Sequence, residues 1–318
     1  MQHAYTLTWD ALRARALKGE RFLDIDDRPL WPDKEQFDEW LVYPSYLVSV
    51  ARGFSRNLLP LGVAAAYISR VAENTVFEVQ AAHCVPEDKL VNTKKKKFSW
   101  SYTALAQFKT CPAQYAAHRF FEKIPFVETE QIKWGNVVHK ALEDRIVLNK
   151  PLAGELKEYE KYAAGLEAGA AKHHAELTGE KELAFSAHFE PTSWFGKTTV
   201  LRGKIDALLV NEDTAWLYDW KTGKVRHDPT QLLLFALKVA ILHPQIDTFH
   251  TFFVWLKTGE VTKETYRRNQ LLDLYKPIAH DVARMKRAWW DKKFPCRQSG
   301  LCRGWCQVDD CVHWEPRR

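Results

Sequence analysis

Residues 199–224 read TVLRGKIDALLVNEDTAWLYDWKTGK, and this stretch decides the fold. Two β-rich runs, Thr199–Val210 and Ala215–Lys221, flank the turn-forming Asn211-Glu212-Asp213, the pattern of an antiparallel hairpin. If 211–214 is a four-residue loop, Val210 faces Ala215, and counting back sets Asp206 against Asp219. Side chains alternate between faces, so Lys204 goes with Asp206 and Lys221 with Asp219. Opposed residues have Cβ atoms about 5 Å apart, where like charges repel. Two carboxylates that close either share a proton or hold a cation. Oxygen donors on a pleated face suit Mg²⁺, which takes one or two carboxylates together with phosphate oxygens. The same alternation also fits a solvated strand face, and a slip of one residue would carry Asp206 to the other side. Register therefore decides whether the pair exists.

Outward from the hairpin, the elements are read from periodicity and caps. Ser101 is placed to cap a helix through Tyr102, Leu105 and Phe108 that ends near Cys111-Pro112. A second short helix from Pro112 carries Tyr115 and His118. In 136–148, Val138, Leu142 and Ile146 fall four residues apart on one helix face. Residues 155–177 read as a charged, alanine-rich helix and 182–189 as an alternating strand. Beyond the hairpin, Pro229 opens a helix through Gln231, Leu234, Phe235 and Leu237 to about Leu242. Strands at 248–256 and 261–266 and a helix at 270–290 complete the pattern. That order predicts an α/β or α+β sandwich with a mixed sheet. Residues 1–97 stand apart as an N-terminal segment without a chemical motif, with 41–68 its one long helix candidate and a basic, linker-like end at Asn92–Lys97. Residues 98–318 are expected to form the functional domain, with a cysteine-rich tail at 296–313.

Composition sets wider limits. A chain of 318 residues with 46% hydrophobic content can bury a real core. A net charge of +6 suits a polyanionic partner without requiring one. Asp10, Arg13 and Arg15 interrupt the place of a secretory signal, and the longest apolar stretch, 58–68, holds Pro60 and Gly62 and is too short for a bilayer. The expectation is a cytoplasmic protein with no membrane partner, whose six cysteines are thiols or metal ligands rather than a disulfide frame.

Four blocks now fall in order: Ser101-Tyr102-Thr103-Ala104-Leu105 with Cys111-Pro112 and Tyr115; Gly135-Asn136-Val137-Val138-His139 with Leu142-Glu143; the hairpin from Gly203 to Lys224; and Gln231 to Phe235. Together they resemble the RecB-type branch of the PD-(D/E)XK nucleases, similar to phage RecB-like nucleases and to the iron–sulfur nucleases of CRISPR adaptation, over roughly residues 101–318. The resemblance implies a restriction-endonuclease-like core, a central mixed β-sheet flanked by helices. It implies that His139, Asp206 and Asp219 bind Mg²⁺ or Mn²⁺ with the backbone carbonyl of Trp220. Lys221 would be the catalytic lysine, and Gln231 would support it or touch the DNA backbone. Asp219 stands where many relatives carry Glu, and Phe235 where many carry Tyr.

Cys296, Cys302, Cys306 and Cys311 cluster in the tail, a density that suggests soft-metal ligation. A subset of RecB-type nucleases holds a 4Fe–4S cluster with one N-terminal and three C-terminal cysteines. Cys111, Cys302, Cys306 and Cys311 match that set, although the tail spacing is C-x3-C-x4-C where C-x2-C-x5-C is usual. A zinc site would use Cys296, Cys302 and Cys306 with Cys311 or His313, and free thiols are the third reading. The implied activity is a metal-dependent DNA nuclease, foremost an exonuclease acting on single- or double-stranded ends in recombination, repair or phage DNA processing. A non-catalytic DNA-binding module and a site-specific endonuclease are the rivals. No Walker-type phosphate loop is present, so a helicase or recombination partner would supply any motor.

Overall fold

The hairpin forms in the expected register: Val210 pairs with Ala215, Leu209 with Trp216, Leu208 with Leu217 and Ala207 with Tyr218. The computed structural model describes Leu61–Thr75 and residues 97–225 and 228–316. The expectations made for residues 1–60 and 76–96, which include most of the N-terminal segment, lie outside the described residues. In chain order the helices are α1 (Leu61–Thr75), α2 (Tyr102–Thr110), α3 (Pro112–Tyr115), α4 (Glu130–Leu148), α5 (Glu160–His173), α6 (Thr230–Leu242) and α7 (Arg268–Asp291). The strands are β1 (Glu176–Thr178), β2 (Lys181–Ser186), β3 (Thr199–Ile205), β4 (Ala207–Val210), β5 (Thr214–Lys221), β6 (Thr248–Trp255) and β7 (Glu260–Arg267).

The described residues divide into two units, one containing residues 128–225 and 228–275 and the other containing residues 97–127 and 276–316. The first holds a five-stranded sheet in the order β1-β4-β5-β6-β7 and a separate two-stranded β2-β3 sheet. Only β5 and β6 run parallel, and α6 makes the crossover between them. Such a crossover helix is covered on all sides, and residues 232–240 are accordingly buried throughout. On the opposite face, Val138 and Leu142 of α4 and Leu166 of α5 pack against Ala207, Leu209, Trp220 and Val254. Because Trp220 points toward α4, its neighbours Asp219 and Lys221 point toward α6. Two elements therefore converge on β5 from opposite faces, which is what positions the site.

Three expectations need correction. Helix α4 begins six residues before Asn136, because Thr129 caps it through the Ile132 N–H (3.3 Å) ahead of the apolar repeat. The helix predicted through 177 stops at His173, where His174 turns left-handed (φ 49°), and residues 176–178 pair with β4 as an edge strand. The run Thr199–Val210 is not one strand. It breaks at Asp206, whose N–H goes to the Tyr218 carbonyl (3.1 Å), and its two halves join different sheets. Elsewhere the caps and faces agree: Ser101 accepts the Ala104 N–H, and Val138 and Leu142 are fully buried.

In the second unit α2 and α3 lead into a single wide turn at Ala116–Phe120. Tyr115, Phe120, Trp289 and Phe294 form its aromatic core. Among the described residues no helix is long and apolar enough to cross a membrane. Leu142 anchors the helix that carries His139, so Leu142→Ala is expected to lower unfolding free energy by about 2–5 kcal/mol, the range for a buried leucine truncation. A urea titration of both proteins measures the difference.

Candidate active site

The break at Asp206 has a local cause. One carboxylate oxygen accepts the Trp220 N–H (2.7 Å) and the other meets His139 Nδ1 (3.0 Å), so the side chain bridges β5 and α4. Bending the strand at this point frees the carboxylate for both contacts. Asp219 follows on β5, with its Oδ1 accepting from Gln231 Nε2 (3.2 Å). Its Oδ2 forms an ion pair with Lys221 but lacks hydrogen-bond geometry and is fully buried. Lys221 also donates to Gln231 Oε1 (3.0 Å), which closes a ring of Asp219, Lys221 and Gln231. The predicted residues His139, Asp206, Asp219, Lys221 and Gln231 are thus brought together.

Burial gives the cluster its electrostatics. Asp206 and Asp219 are only 8% and 5% exposed. Burial pushes Asp219 up to about 6; the Lys221 and His139 charges oppose the rise and the Asp206 charge adds to it. Burial pulls His139 down, but the Asp206 hydrogen bond and the Asp206 and Asp219 charges outweigh it and leave the imidazole raised. Two carboxylates here are short of compensating charge, and a divalent ion would supply it. Asp219 Oδ2, ion-paired with Lys221, is an oxygen donor of the type such an ion takes. These carboxylates pair with the flanking Lys221 ammonium and His139 imidazole. Among the described residues no group of three or more His, Cys, Asp or Glu side chains is arranged so that it could hold a metal ion.

Two neighbours escaped the sequence reading. Phe253 pairs with Asp219 across the parallel ladder and offers its ring to the Lys221 ammonium (4.6 Å). No signal in the sequence marks it, because it depends on the register between β5 and β6. Lys238, two helical turns after Gln231, is buried at 1% exposure beneath Gly203. A Cβ at position 203 would meet its Nζ, so a side chain there would require the lysine end to move.

The tail cysteines form a second constellation, within the other unit. Cys111, Cys302, Cys306 and Cys311 are free thiols that line one small pocket, partly open to solvent. Cys296, also on its wall, is disulfide-bonded, contrary to the expectation that all six cysteines are thiols or metal ligands. Two of the sulfurs accept a backbone N–H: Cys111 from Arg297 (3.4 Å) and Cys302 from Ser299 (3.5 Å). Burial raises the Cys306 and Cys311 thiols, and the neighbouring sulfurs raise them further. Four thiols on one pocket wall are soft donors of the kind a metal centre takes once they lose their protons.

The family model of the PD-(D/E)XK nuclease superfamily matches residues 99–311. No curated protein matches the sequence. A solved structure described as "Crystal structure of SSO0001" is similar at 12% identity over 76% of this chain and 91% of its own, with a TM-score of 0.34.

The buried amine offers a test of this packing. Burial lowers Lys238 from its usual 10.5 to about 7, so the folded chain accommodates it best as the neutral amine. Between those values the unfolded chain holds a proton that the folded chain lacks, and stability is lost as pH falls through the window. Lys238→Met is therefore expected to stabilise the protein most at pH 7 and below, with the gain shrinking toward pH 10. Urea unfolding of both proteins across that range measures it.

Proposed function

The chain belongs to the PD-(D/E)XK nuclease superfamily, and on that premise we propose that it is a metal-dependent deoxyribonuclease of the RecB-type branch, digesting DNA from its ends. The observation that carries this reading is the pair of buried carboxylates on β4's threshold and β5, ringed by an imidazole, an ammonium and an amide. Asp206 and Asp219 would hold Mg²⁺ or Mn²⁺, with His139 and the Trp220 carbonyl as further ligands. Bound there, the ion supplies a Lewis acid to the phosphate oxygens and acidifies water.

The chain's own groups do the rest. Lys221 stands next to Asp219 and offsets the negative charge that builds on the phosphate as water attacks. Gln231 grips both Lys221 and Asp219, so it keeps the ammonium from swinging away when the carboxylate turns to an ion. Asp206 holds the His139 ring in place through Nδ1. Recombination, repair or phage DNA processing in the cytoplasm is the setting we propose, with a helicase as partner where unwinding is needed.

Incubation of end-labelled single- and double-stranded DNA with Mg²⁺ is expected to release short products progressively, and EDTA should abolish it. Lys221→Ala and Asp219→Asn should each lower the rate by at least about a hundredfold, the size of losing one group that stabilises transition-state charge. Discrete plasmid fragments would favour a site-specific endonuclease instead. DNA binding without turnover would favour a non-catalytic module.

We further infer that Cys111, Cys302, Cys306 and Cys311 hold a 4Fe–4S cluster that staples α2's end to the tail. Their shared pocket and the N–H donors to Cys111 and Cys302 support this reading, since hydrogen bonds to sulfur are a usual feature of cluster sites. Anaerobically purified protein is expected to be brown, with iron and acid-labile sulfide in equal amounts, both lost in Cys306→Ser. Zinc without sulfide would reassign the site.

A further inference from the structure

The β2–β3 hairpin ends in a tip that the carboxylate site does not explain. Phe195 is 89% exposed there, the highest value among the large apolar side chains of the described residues. Its setting is built rather than loose. Gly196 N–H donates to the Ser193 carbonyl (2.9 Å), Thr199 N–H to the Gly196 carbonyl (3.1 Å), and the Thr199 hydroxyl to the Ser193 carbonyl (2.8 Å). The Thr192 and Thr199 hydroxyls lie 2.9 Å apart and close the base of the turn. An apolar ring is thus presented to water by a hydrogen-bonded frame.

Beside it, Trp194 lies against β3. The Arg202 guanidinium is 5.9 Å and the Lys204 ammonium 5.7 Å from its ring centre, and Arg202 Nε donates to the Trp194 carbonyl (2.7 Å). Lys204 is shared with Glu180 (2.7 Å) and Glu182 (3.2 Å), whereas among the described residues no carboxylate pairs with Arg202. Strand alternation sets Arg202 and Lys204 on one face of β3, and Asp206 follows two residues later. The strand spans about 23 Å at roughly 3.3 Å per residue, so the tip stands several nucleotides from the carboxylates.

Exposed aromatics interleaved with cations are how proteins hold single-stranded nucleic acid, because unstacked bases lie on the rings while the backbone meets the charges. Building on the nuclease reading above, we propose that the β2–β3 hairpin is an entry track for single-stranded DNA. Phe195 stacks on a base, Trp194 backs the track and Arg202 holds a phosphate. Duplex DNA, whose bases already stack on one another, gains little from these rings.

The test uses the full chain with Ca²⁺ in place of Mg²⁺, a fluorescent oligothymidylate and a blunt duplex of equal length. Phe195→Ala, at a position too exposed to disturb the fold, is expected to weaken oligothymidylate binding by about tenfold, the scale of one base–aromatic stack. Duplex binding, and hydrolysis of bis(p-nitrophenyl) phosphate in Mg²⁺, should be unchanged. Arg202→Gln should flatten the salt dependence of single-strand binding. Unchanged single-strand affinity in Phe195→Ala, or an equal loss on duplex, would overturn the proposal. So would a changed sedimentation coefficient in the absence of DNA, which would make the tip a self-association surface. Wild-type protein that binds oligothymidylate through Phe195 but never cleaves DNA in Mg²⁺ would sink the nuclease reading and leave the track standing.

Discussion

The structure depends on two carboxylates that one hairpin forces together. Asp206, at the bend between β3 and β4, and Asp219, on β5, are both almost wholly buried, and the β4–β5 ladder that starts at Ala207 holds them close. Burial makes each charge costly, and proximity makes the second costlier than the first. The surroundings answer that constraint group by group. Trp220 lends a backbone N–H, His139 an imidazole, Lys221 an ammonium and Gln231 an amide. Asp219 Oδ2 has only the Lys221 charge to answer it, without hydrogen-bond geometry.

The scaffold accounts for how so many polar groups reach one point in an apolar interior. A parallel β5–β6 pair requires a crossover, and α6 supplies it while carrying Gln231 to the face where Asp219 and Lys221 point. The other face belongs to α4, whose buried Val138 and Leu142 fix the helix and leave His139 to reach the bend at Asp206. Packing and chemistry therefore share the same elements. The residues between the polar ones hold the sheet together, and the polar ones use the alternation that the sheet imposes. The tail cysteines follow the same logic in the second unit, where the chain turn at Ser299 aims an N–H group at the Cys302 sulfur.

Much of this was legible in the sequence because it is local. Loop length and alternation suffice to pair Val210 with Ala215 and so bring Asp206 near Asp219. Ser101 and the Val138–Leu142 spacing mark helices by caps and period. What escaped was set at longer range or against local preference. The edge strand at 176–178 follows an alanine-rich helix and forms only because β4 offers a free edge. The break at Asp206 lies inside a run of strong strand formers, and the carboxylate's own hydrogen bonds override them. Phe253 beside Lys221 and Lys238 beneath Gly203 depend on how non-adjacent elements meet. The cysteines were visible as a set, but only the fold brings Cys111 to the other three.

If the carboxylate pair exists to hold a divalent ion, the ion should bind whether or not DNA is present. Titration of the protein with Mn²⁺, followed by the loss of the free ion's paramagnetic resonance signal, tests that directly. The account predicts saturable uptake by the wild-type chain that Asp206→Asn and Asp219→Asn each abolish while both variants stay folded. Equal uptake by all three proteins, or none by the wild type, would contradict it.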